Sequence, residues 1–128
     1  MKIVTDDRVA AFVGKKIDTI IFPPFTAMGI ERDGEIVSGV VFNCYTGPNI
    51  EATVAGCKWG RQFLHELGTY VFGQLGCSRV TITTEHAEVL TLAKRLGGKV
   101  EGTMRDFYGK GRDGSVIGIL RDEYRFQK

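Results

Sequence analysis

The sequence predicts one α+β (or α/β) domain over residues 1–128, built on a mixed, largely antiparallel sheet. Three observations predict it. β-prone runs flank Asp33-Gly34, a strong hairpin signal because Gly tolerates the positive φ of a tight turn. After Gly56 the apolar period becomes helical, with Trp59, Phe63, Leu67 and Val71 four apart. Helical and strand patterns then alternate to the end, without repeat, linker or low-complexity segment.

Residues 6–14 suit a short helix with acids at its positive end. Ile20-Ile21-Phe22 is an apolar run halted by Pro23-Pro24. Ala27–Arg32, the Asp33-Gly34 turn and Glu35–Phe42 read as strand, turn, strand, and Ile50–Ala55 adds a third strand after the turn at 45–49. The helix after Gly56 is widened by Leu64, Tyr70 and Leu75 and carries Gly60, Gly68 and Gly73 inside it, each costing about 1 kcal/mol relative to Ala. Arg79–Thr83 is a compact strand. Thr84 is the expected N-cap of a following helix, with Glu85 and Glu88 in its first turn, an apolar face of Val89, Leu92, Ala93 and Leu96, and Gly97-Gly98 as its stop. Thr103–Tyr108 and Ser115–Leu120 are strands separated by a loop over 109–114.

Composition excludes several classes of function. Seventeen Lys and Arg against fifteen Asp and Glu give a net charge of +2, too balanced for a protein that mainly grips phosphate backbones. The aromatic and basic residues near 105–126 are interleaved with acids, so they give no strong nucleic-acid signal. Cys44, Cys57 and Cys77 form no C-x-x-C pair and read as small buried hydrophobes of a reducing, cytoplasmic compartment. The longest apolar run is too short to cross a membrane and holds two prolines. His65 and His86 have no partners at metal-ligand spacing.

Two places could carry chemistry. The strand-turn-helix at Val54-Ala55-Gly56-Cys57-Lys58-Trp59-Gly60-Arg61 can offer helix-start amides, Lys58 and Arg61 to an anion; a bland helix start would read the same way. Glu85 and His86 lie where a strand ends and a helix begins, a frequent position for sites, although Glu85 could serve only the helix dipole. Glu51, mid-strand, faces solvent or a cleft by alternation. Cys57 beside Lys58, inside the first of these places, is also a candidate reactive thiol.

The element order, with Leu96-Gly97-Gly98-Lys99-Val100-Glu101-Gly102-Thr103-Met104-Arg105, resembles the GNAT N-acetyltransferase superfamily. That segment looks like the Leu-Gly-Phe-x-x-Glu-Gly-x-x-Arg run of the branch acetylating ribosomal-protein amino termini. The tail from Tyr108 through Arg112-Asp113-Gly114 to Tyr124 resembles the last hairpin of the same branch, and the short length resembles phage-type members. The resemblance implies a GNAT-like sheet with helices on both faces and an acetyl-CoA site. In that fold the third meander strand bulges and splays, and the pantetheine arm lies on it, here Ala52–Ala55. The pyrophosphate rests on Gly56–Arg61. The implied cofactor contacts are Val54, Ala55, Gly56, Lys58, Gly60 and Arg61, with His86 near the pantetheine and Glu85 as base. This chain departs from the family pattern: Ala55 replaces Gln/Arg, Lys58 the first loop glycine, His86 an Asn, Ala93 a tyrosine acid and Gly98 the Phe. Two readings follow: acetyl transfer from acetyl-CoA to a primary amine, or an inactive GNAT-fold binding or assembly module. The exposed edge of the last hairpin would suit a homodimer.

Overall fold

The computed structural model describes residues 1–127. Its elements are β1 (Lys2–Val4), α1 (Asp7–Lys16), β2 (Thr26–Arg32), β3 (Glu35–Asn43), β4 (Asn49–Gly56), α2 (Arg61–Gly68), β5 (Arg79–Thr84), α3 (Ala87–Arg95), β6 (Lys99–Gly109) and β7 (Arg112–Leu120). Seven strands form one sheet in the order β1-β2-β3-β4-β5-β7-β6. Every neighbouring pair is antiparallel except β4–β5. The expected mixed, mostly antiparallel sheet is therefore present, with β1 added at one edge. Three residues are too few to show a period, which is why this strand escapes a sequence reading.

Helix α1 covers one face of the sheet. Asp6 caps it, accepting from the Arg8 amide at 3.0 Å, and Val9 and Val13 are fully buried beneath it. Gly29 and Gly39 face each other in β2 and β3, and a Cβ on either would strike Val9. Their bareness lets α1 sit close to the strands. Helices α2 and α3 cover the opposite face, where Phe63, Leu64, Leu67, Val89, Leu92 and Ala93 join Val40, Phe42, Val80, Ile82, Ile117 and Ile119 in the main core. The tail after β7 fills the seam: Tyr124 donates to the Leu64 carbonyl at 2.5 Å, and its ring meets Phe72.

Several expectations need correction. Trp59 and Gly60 precede α2, and Gly60 is its N-cap. Past Gly68 the helix widens into a π-helical turn over Thr69–Gln74. Thr84 ends β5 instead of capping α3; its hydroxyl accepts from the His86 amide at 3.0 Å, and His86 is the N-cap, so Glu85 lies ahead of the helix. The last hairpin is longer than its apolar pattern, because β6 is exposed along nearly its whole length as an edge strand. Cys77 is buried as expected, but Cys44 and Cys57 are exposed. Among the described residues, no helix is long and apolar enough to cross a membrane.

Candidate functional site

Strands β4 and β5 pair in parallel only from Asn49↔Arg79 to Ala52↔Ile82. Beyond that point β4 runs on to Gly56 beside β3, while β5 follows β7 to Thr84. The two strands part, and among the described residues the β5-facing edge of β4 from Thr53 to Gly56 has no strand partner. The register of β4 on β3 is unbroken from Asn43↔Glu51 to Ser38↔Gly56, so the expected bulge in β4 is absent and the splay arises from the competing pull of β3 and β7. An unpaired backbone edge needs partners. A chain of amides entering the gap could supply them.

The predicted binding residues sit around the end of this gap. Val54 and Ala55 are buried with their side chains on opposite faces, Val54 in the main core and Ala55 under α1, so each can offer only backbone. Gly56 has φ +110°, and a Cβ there would meet the Val37 carbonyl and the Ser38 Cα at 2.5 Å. The Lys58 amide is spent on the Ser38 hydroxyl at 3.1 Å, while its side chain is exposed. Gly60 caps α2 without a side chain, and the first turn holds no acid. A Cβ at Gly60 would meet nothing closer than the Met1 side chain at 3.8 Å. This helix start therefore leaves room and a positive dipole end for an anion. Arg61 turns away: its guanidinium lies over the Phe126 ring, shared with Arg95. A cavity of about 530 Å³ opens at this end, lined by Gly56, Cys57, Lys58, Lys16 and Glu88 among others.

Glu85 does not stand as a free base. Arg112 clamps it through two nitrogens, Nε donating at 3.0 Å and Nη2 closer still. This pairing holds the Glu85 carboxyl below its ordinary pKa, because the guanidinium favours the charged form. His86, half-exposed at the α3 N-cap, has its Nδ1 3.9 Å from a Glu88 oxygen. Ala93, where the resemblance implied a tyrosine acid, is buried in the core.

The opposite end of the gap opens into a second cavity of about 420 Å³. The segment after α1 (residues 17–22), Glu51, Ala52 and Thr53 of β4, Thr83, and Phe107 and Tyr108 of β6 enclose it, with Asn43. Two of its lining residues are acids, Asp18 and Glu51, and none is Lys or Arg. Hydrogen bonding to Glu51, with burial, pushes the nearby Cys44 thiol above its usual pKa. Tyr108 donates to the Thr83 carbonyl at 2.8 Å, and burial with the nearby Glu85 charge pushes its phenol up to about 12. Alternation left Glu51 facing either solvent or a cleft, and it lines this cavity. Asp18, Phe107 and Tyr108 carry no sequence signal, because only the chain's path brings them together.

No family model matches the chain, and no curated protein matches it in sequence. Solved structures do match. A mutant spermidine N-acetyltransferase from Vibrio cholerae aligns with a TM-score of 0.73 at 12% identity, covering 97% of both chains. An aminoglycoside 6'-acetyltransferase of type Ii aligns with a TM-score of 0.62 at 14% identity, covering 94% of this chain and 97% of that one. The fold is thus the GNAT-like α+β fold.

Proposed function

We propose that this GNAT-like domain is an acetyl-CoA-dependent N-acetyltransferase acting on a primary amine. The observation that carries the reading is the unpaired edge of β4, which has a cavity at each end: one beside the α2 start and Lys58, the other lined by acids. The structural neighbours named for spermidine and aminoglycoside acetylation support the same reaction class.

In this reading the backbone of Thr53–Ala55 pairs with the amides of the pantetheine arm as a strand would. The α2 start, with Lys58, receives the diphosphate. Arg61 contributes through its amide at the helix start, since its side chain is committed to Phe126. Acetyl-CoA supplies an activated acetyl group as a thioester. With it bound, the amine lone pair would form the bond to the carbonyl carbon as the carbon–sulfur bond breaks, and the sulfur would leave as a thiolate that takes its proton from solvent. Glu51 takes the proton that the amine gives up, because it is a carboxylate on the cavity and in no ion pair among the described residues. Glu85 is assigned a positioning role: with Arg112 it ties the end of β5 to the β6–β7 turn that frames Tyr108.

The rival reading, a module without transfer, draws on Arg61's turn toward Phe126 and the Lys58 amide's commitment to Ser38. Acetylation of a mixed amine panel, followed by release of free thiol, tests the proposal. Thiol release that depends on amine, and falls in Glu51→Gln, supports transfer; acetyl-CoA binding with no release under any amine favours the module.

A further inference from the structure

The two ends of the cleft carry opposite charge. At the α2 end the lining holds Lys16 and Lys58 against Glu88. At the other end it holds Asp18 and Glu51 with no cation, and the side chains of Phe22, Phe107 and Tyr108 supply three aromatic rings. A pocket of this kind draws ammonium groups by charge and by the negative faces of the rings, and repels carboxylates. Neither acid takes part in an ion pair among the described residues. Arg112 lies near enough to Asp18 to feel its charge, but both its hydrogen-bonding contacts go to Glu85.

Counting charge through the reaction separates the two acids. The attacking amine must be neutral, and its proton goes to Glu51, which leaves Asp18 unbalanced unless the acceptor brings a second cation. Ile17, Ile20 and Ile21 of the same wall suit a methylene chain between the two nitrogens. We infer that the acceptor is an aliphatic diamine or longer polyamine, with Glu51 at the reacting nitrogen and Asp18 at the distal ammonium. This rests on the acetyltransferase reading for the reaction, but not for the binding.

The test is equilibrium binding, by nuclear magnetic resonance titration, of 1,4-diaminobutane, 1-aminobutane and 4-aminobutanoate to the full chain without acetyl-CoA. The diamine is expected to bind at least about fivefold tighter than the monoamine, the equivalent of one ion pair, with the amino acid weakest. The preference should shrink as salt rises. Asp18→Asn should bring diamine and monoamine to within about twofold. That variant suits the site because Asp18 has φ +54°, a left-handed conformation Asn adopts readily. Equal binding of diamine and monoamine, or a preference that survives Asp18→Asn, overturns the inference. Tight, Asp18-dependent diamine binding without acetylation would instead overturn the reaction assignment and leave the diamine as a ligand of this cavity.

Discussion

Glu51 lines the acidic cavity, whereas Glu85 lies outside its lining at the end of β5, and their surroundings differ accordingly. Glu85 is clamped by Arg112, which favours the ionised form and weakens it as a proton acceptor. Its pKa in the folded chain lies below the ordinary 4.5, so the pairing contributes stability that is present above that value and lost as pH falls through the lowered one. Glu85→Gln should therefore lose part of its stability deficit against the wild type below about pH 4, as followed by urea denaturation across pH. The rate profile of that variant between pH 5 and 9 should keep the wild-type shape, since Glu85 does not titrate there. Glu51→Gln should lower turnover about 10²- to 10⁴-fold while acetyl-CoA binding holds, read by steady-state kinetics beside calorimetric titration. The sequence marks both glutamates as candidates, one by alternation and one by its place at a strand end. It does not show Arg112, 27 residues away, closing on Glu85; that contact exists only once β7 pairs with β5.

At the scale of elements, the most legible segments are those whose local chemistry decides them. Asp33 and Gly34 both have positive φ in the turn that Asp-Gly foretells. The Leu96-Gly97 run, which carried the branch resemblance, has a packing explanation: Leu96 is buried, and Gly97, with φ +110°, faces the Glu123 carbonyl so closely that no Cβ fits. That motif therefore reports how α3 meets the tail and leaves the acceptor to the cavity. The splay of β4 from β5 is less legible, since it comes from two strands following different partners. Gly56 is the hinge of that arrangement. Gly56→Ala would force a Cβ against the Val37 and Ser38 backbone, and its stability to denaturant should fall by about 1–3 kcal/mol or more. Wild-type stability in Gly56→Ala would mean that the β4–α2 junction is not held as described.

The whole molecule is nearly neutral, and only folding reveals its separated charges. Seventeen cations and fifteen anions give no hint in sequence of a cleft basic at one mouth and acidic at the other. In the proposed reaction, segregation of this kind would feed two reactants of opposite charge into one gap from different sides. The segment from Ile17 to Phe25, between α1 and β2, contributes Asp18 and Phe22 to the wall of the acidic cavity. Its exposed Ile20 and Phe22 look out beside an exposed Phe107. The central claim, that the unpaired β4 edge and the α2 start hold acetyl-CoA, is tested most directly by a thermal-unfolding titration with acetyl-CoA, run beside Lys58→Glu. Saturating stabilisation, about 2.7 kcal/mol at a hundredfold excess over the dissociation constant, and a weaker response in Lys58→Glu are the predicted results. No shift at millimolar acetyl-CoA, or an identical shift in the variant, would contradict the placement.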